Sequence, residues 1–150
     1  MVPRPRPLNQ AMVLDIGALI KSHARLNGLG MVYTDVDVLV WDELVAPNVL
    51  FISQNRLSIV TETNIQGVPD LVVEVLSPGT RRYDRKDKSQ IYCLHGVKEY
   101  CIVDPEDRIV EVFIPGAGDW ERAGVYGDKE KLTSVLLPGL QVDLKEIFIL

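Results

Sequence analysis

Asp70 and Glu74 stand in "VPDLVVEVLSPG" (Val68 to Gly79), a stretch that otherwise reads as a buried strand. With Val72 they are spaced by two, so on a strand all three share one face, while Leu71, Val73 and Val75 line the other. An ionised carboxylate in apolar surroundings costs several kcal/mol unless something pairs with it. The acids therefore call for a metal, a basic partner or open water. Carboxylate oxygens suit a hard cation such as Mg2+, which keeps several waters and takes one or two protein carboxylates.

The elements that follow bring a lysine towards the same place. "SPGT" (Ser77 to Thr80) reads as a turn ending in a helix cap, and the helix it opens runs from about Arg81 to His95 and stops at Gly96. On it Asp84, Lys88, Ile91, Tyr92 and His95 recur three or four apart, which puts Lys88 on the inward, apolar stripe. A lysine there would stabilise developing negative charge or orient a water nucleophile. Two carboxylates, a lysine and a basic helix start make a site for metal-assisted phosphodiester hydrolysis. On the same residues, Glu74 pairing with Lys88 or an arginine as a structural ion pair stays open.

Charge distribution bears on the partner. The chain of 150 residues carries a formal −5, yet "RRYDRKDK" (Arg81 to Lys88) holds five basic and two acidic residues, a local +3 that leaves −8 elsewhere. Such a cluster is either a phosphate-facing patch or a solvated first helical turn. Hydrophobic content of 47% with 25% charged residues excludes a disordered chain. Cys93 and Cys101 have no metal-ligand spacing, and His23 and His95 carry no signature. There is no apolar leader in "MVPRPRPLNQ" and no run long enough to cross a bilayer, so a cytoplasmic protein is expected. GxSxG, P-loop, GxGxxG and HExxH patterns are absent, which removes acyl transfer, nucleotide triphosphatase and zincin chemistry.

The rest of the chain reads as one α/β domain with a mixed sheet and two main helices. Residues 1–8 are an irregular Pro/Arg arm and 9–150 the domain. Met12, Ile16, Leu19, Ile20, His23 and Leu26 give a first helix from about Asn9, ended by "NGLG". "MVYTDVDVLVW" (Met31 to Trp41), "NVLFIS" (Asn48 to Ser53), "EYCIVD", "RIVEVFI" and "WERAGVY" read as strands, with "DPED" (Asp104 to Asp107) turning a hairpin. "LLPGLQVDLKEIF" ends in a strand or a short helical turn.

"VPDLVVEVLSPGTRRYDRKDKSQIYCLHGVKEYCIVDP", with "VDVLVWDELVAPNVLFIS" before it and "GLQVDLKEIF" after it, resembles the restriction-endonuclease family named Uma-two, of the PD-(D/E)XK nuclease-like superfamily. The resemblance runs from about Asn9 onward. It implies a restriction-endonuclease-like fold, a central mixed sheet flanked by helices, and a Mg2+- or Mn2+-dependent endonuclease acting on DNA, commonly as a homodimer. Glu74 matches the motif's (D/E). Leu76 stands where the motif lysine is usual, and Lys88 matches the lysine moved to the following helix. Asp70 matches a recurrent family aspartate at or beside the metal, and Arg81, Arg82, Arg85 and Lys86 would contact the DNA backbone.

The chain departs from that pattern in "APNVLFIS", where Asn48 takes the place of the motif's other acid. An asparagine carbonyl still reaches a metal, as a weak ligand without charge. Asn9 stands about where the family often has a histidine, and the segment with an acidic hairpin that usually precedes the first helix is short here. Weakened or lost nuclease activity is the expectation. The alternative is a catalytically degenerate binding or assembly protein on the same fold, in which Glu74 and Lys88 neutralise each other.

Overall fold

Met12, Ile16, Ile20 and Ala24 are buried at helical spacing, so helix α1 (Pro7–Leu26) lays one apolar stripe on the sheet. In the computed structural model residues 6–77 and 83–149 are described, 83–86 by backbone alone. Most of the Pro/Arg arm and the "PGT" of the cap therefore lie outside the described residues. The helix begins at Pro7 rather than Asn9, because a proline in the first turn gives up an N–H that has no helical partner. It closes through Gly28, φ +61°, with the Leu29 N–H donating to the Ala24 carbonyl.

The alternation from Met31 to Trp41 predicts one strand, and the structure makes two. β1 (Gly30–Tyr33) and β2 (Val38–Val40) lie in different sheets, separated by a bend in which Asp35 has φ +53°. β3 (Glu43–Val45) and β4 (Val49–Ser53) follow, then a 3-10 turn (Gln54–Ile59) and a two-residue strand β5 (Ile65–Gln66). β6 (Leu71–Val75) carries the acids, and α2 (Tyr83–His95) connects it to β7 (Glu99–Asp104). The hairpin β8 (Ile109–Pro115) and β9 (Trp120–Gly127) leads to β10 (Lys131–Thr133), β11 (Gln141–Asp143) and the short helix α3 (Leu144–Ile147).

The central sheet has the order β1-β4-β6-β7-β8-β9, antiparallel except for β6 against β7. A parallel pair needs a long crossover, and α2 supplies it. β6 thus sits inside the sheet with helices on both faces, the mixed architecture expected from the sequence. Leu71, Val73 and Val75 enter the apolar cluster under α1, β10, β11 and α3. Val72 joins Tyr92, Tyr100 and Ile102 in the cluster under α2 and the small β3-β2-β5 sheet. The two strand faces are divided as period-two reasoning requires.

The first cluster contains an acid that sequence reasoning did not single out. Glu99, 1% exposed, accepts from Ser134 Oγ at 2.6 Å and the Leu136 N–H at 3.4 Å through Oε2. Its buried Oε1 has no hydrogen-bond partner among the described residues, and Glu99 is one of the residues around an apolar cavity of about 30 Å3. Burial pushes its carboxyl above the ordinary 4.5, more than Ser134 and Leu136 pull it down. A raised folded-state value means the folded chain keeps a proton that the unfolded chain has released, so stability falls as pH rises from 4.5 through that interval. Urea unfolding across this range should show the fall in the parent and a flatter profile in Glu99→Gln.

Candidate active site at the end of the central strand

Glu74 is the next-to-last residue of β6 and is 8% exposed. Tyr92, on α2, donates its hydroxyl to Glu74 Oε1 at 2.9 Å. The tyrosine is set by aromatic packing: its ring meets Tyr100 edge-on at 5.5 Å, and Tyr100 lies 5.5 Å from Trp120. Trp120 Nε1 in turn donates to the Ser89 carbonyl at 2.8 Å, so β9 holds α2 against the sheet. Burial, then the charge of Glu74, pushes the Tyr92 hydroxyl far above its ordinary value and keeps it a donor. Tyr92→Phe should cost about 1.5–3 kcal/mol in chemical denaturation, the contribution of a hydrogen bond to a charged group.

Two asparagines grip the backbone around Glu74. Val49 pairs with Val73, which brings Asn48, just before β4, alongside Glu74. Asn48 Oδ1 accepts from the Val75 N–H at 2.7 Å. Asn9, 6% exposed on α1, donates from Nδ2 to the Leu76 carbonyl and to Ser77 Oγ, both at 3.0 Å. The structure therefore brings Asn48 and Glu74 together, and places Asn9 beside the same strand end.

Lys88 lies one helical turn before Tyr92 on the same stripe and is half-buried. Among the described residues no ion pair joins it to Glu74. Arg81 and Arg82 lie outside the described residues, as do the side chains of Arg85 and Lys86.

Asp70 is on the same strand face as Glu74 but at the other end, about 13 Å away at the rise of a strand. It is 1% exposed and solves its burial with bases. Oδ2 accepts from the Ser53 N–H at 2.8 Å and from Arg56 Nη1 at 3.0 Å. Among the described residues Oδ1 accepts no well-directed hydrogen bond and is held by charge, with Lys98 Nζ at 3.1 Å. Burial alone would raise the Asp70 carboxyl, but the Ser53 amide, the Lys98 ammonium and the Arg56 guanidinium outweigh it and hold it below the ordinary 3.8. Arg56 and Lys98 carry no spacing signature, so the sequence offers no route to them. Tyr92 was visible on the stripe, one turn from Lys88.

The donors near Glu74 fit a divalent ion poorly. Among the described residues they are one carboxylate that accepts from Tyr92, and one amide oxygen that accepts from Val75. Among the described residues no three His, Cys, Asp or Glu side chains come together as a metal cage. A hard cation needs more anionic oxygen than this set supplies.

A family model, Uma2, described as "Putative restriction endonuclease", matches residues 1–145. The chain belongs to the Uma2 family. Among solved structures, a putative nuclease belonging to DUF820 from Anabaena variabilis is similar to this Uma2 chain at a TM-score of 0.82 and 19% identity, over 98% of this chain and 83% of that one. At that identity the likeness carries the fold, and the fold is the mixed α/β nuclease-like one. A comparison with curated proteins gave no match. Among the described residues of the Uma2 chain, no helix is long and apolar enough to cross a membrane.

Proposed function

We propose that this Uma2 protein is a DNA-binding, nuclease-fold protein whose hydrolytic site is disarmed at Asn48. The observation that carries the reading is the Asn48 side chain beside Glu74. Its oxygen is committed to the Val75 N–H at 2.7 Å, and an uncharged amide nitrogen stands where a second carboxylate oxygen would complete a Mg2+ or Mn2+ site. In this reading Glu74 is the remaining metal-facing carboxylate, and Lys88 is the cation that meets the attacked phosphate. Arg81, Arg82, Arg85 and Lys86 contact the DNA backbone, which makes binding fall with salt. Asp70 is the neutralised anchor between β4, β6 and β7 rather than a metal ligand. The protein acts in the cytoplasm as a homodimer, the common arrangement of such nucleases.

A second reading is favoured by the Tyr92 hydroxyl on Glu74 Oε1 at 2.9 Å. A carboxylate engaged in this way serves as a structural acceptor, and the chain is then a binding or assembly protein without hydrolysis. Calorimetry with Mg2+ and Mn2+, together with plasmid nicking, separates the two on the parent and Asn48→Asp. The disarmed-nuclease reading expects weak metal binding and no nicking in the parent, and both restored in the variant. Efficient nicking by the parent would overturn it, and silence from both proteins would leave the structural reading.

A further inference from the structure

Trp41 is the first residue of the two-residue turn between β2 and β3, because Val40 pairs with Glu43. Its φ is +56°. A hairpin turn with positive φ at that position takes glycine by default, and a bulky side chain there is strained. Burial does not compensate, since the indole is 82% exposed. Stability therefore does not account for Trp41.

The ring has a companion. His95, in the last turn of α2, lies with its ring centroid 6.3 Å from the indole at an interplanar angle of 36°. Beside this ring Trp41 keeps most of its surface exposed. Beside the pair runs a groove of about 430 Å3 lined by Leu39, Arg56, Gln66, Gly67 and Val68. Its polar groups are the Gln66 amide and the Arg56 guanidinium, both able to meet the edge of a flat heterocycle. Arg56 is the one formally charged residue lining the groove among the described residues, and its guanidinium also meets the buried Asp70 at 3.0 Å. Asp42 and Glu43, the acids that follow Trp41, do not line the groove.

We propose that Trp41 and His95 form a stacking platform for one base of an unpaired stretch of DNA. The inference rests on the DNA-binding reading above and names the form of DNA that the protein holds. Stacking on an exposed aromatic is tolerant of sequence, because every base has a π-face, and a neighbouring arginine strengthens it. The platform is on the Glu74 side of the sheet: Val38 and Val40 of β2 share an apolar cluster with Tyr92. Lys88 and His95 lie on one helix, about 10 Å apart along its axis. A single strand lying across α2 thus meets Lys88 with a phosphate and Trp41 with a base.

The test uses the full chain, with a labelled oligothymidylate and a labelled duplex of equal length followed by anisotropy. Trp41→Gly removes the ring and relieves the turn, so its thermal midpoint should equal or exceed the parent's. Its affinity for the single strand should fall about tenfold, the size of losing one base stack. Duplex affinity should be unchanged, and Trp41→Tyr should recover most of the single-strand loss. Oligothymidylate should also quench tryptophan fluorescence in the parent and much less in Trp41→Gly. Equal single-strand affinity in parent and Trp41→Gly would overturn the platform while leaving DNA binding intact. A parent that binds neither DNA would overturn the platform and the DNA reading together. Loss of self-association in sedimentation, with DNA binding untouched, would reassign the patch to an interface between two copies and overturn the proposal.

Discussion

Asn48→Asp should give a protein that is less stable than the parent in EDTA and more stable than it in Mg2+. The replacement is close to isosteric, and an aspartate Oδ1 still accepts the Val75 N–H that Asn48 accepts at 2.7 Å. The backbone of β4 against β6 is therefore kept. What changes is the other atom, from an amide nitrogen to a charged oxygen next to Glu74. Two carboxylates in one place raise each other's pKa, and a shift of one unit is worth about 1.4 kcal/mol against folding. A divalent cation reverses the sign: at a hundred times its dissociation constant it stabilises the folded state by about 2.7 kcal/mol. Thermal unfolding with and without Mg2+ reads the crossing directly, and the parent should show only a weak response. Nicking should appear in the same variant. Lys88→Ala added to it should lower nicking by about 10²–10³-fold, the scale of losing one preorganised charge partner, with no change in midpoint. Metal responses of equal size in parent and variant would sink the idea that Asn48 is what disarms the site.

What was legible in advance was what periodicity controls. The spacing of Asp70, Val72 and Glu74 divides β6 into two faces, and the two apolar clusters keep that division. The stripe on α2 places Lys88 and Tyr92 on one side of the helix. The pairings are another matter, because they join residues far apart in the chain through backbone geometry that no period encodes. Asn48 reaches the Val75 N–H only because β4 runs antiparallel to β6. Tyr92 rather than Lys88 meets Glu74, which depends on the Tyr100 and Trp120 rings that set the depth of the helix. The break at Asp35 was hidden for a similar reason: alternation from Met31 to Trp41 continues unchanged while the chain leaves one sheet for another. β5 is two residues long, too short for any pattern to announce it.

Asp70 is where the two roles weighed for one residue part most sharply. As an anchor it joins the end of β4 through the Ser53 N–H, the 3-10 turn through Arg56 and the start of β7 through Lys98. Asp70→Ala removes all of these at once and leaves a buried N–H and two facing cations behind. The expected loss is about 3 kcal/mol, the upper range for a hydrogen-bonded charged group, kept there because Arg56 and Lys98 are partly solvated and retain some hydration. In a chain of this size that lowers the thermal midpoint by roughly 10 °C. Asp70→Asn should fall between the two, since its oxygen still accepts from Ser53 but attracts neither cation. The pH dependence follows from the depressed carboxyl. The stabilisation is fully present above the unfolded value near 3.8, and it is lost as pH falls through the lower folded value. Acid titration of the unfolding free energy should therefore show an extra loss below about pH 4 in the parent that Asp70→Asn lacks. A metal ligand would behave in the opposite way. Placed in the Asn48→Asp background, an Asp70→Asn change that abolished the Mg2+ response and left stability in EDTA untouched would make Asp70 a ligand, and the anchor assignment would have to be given up.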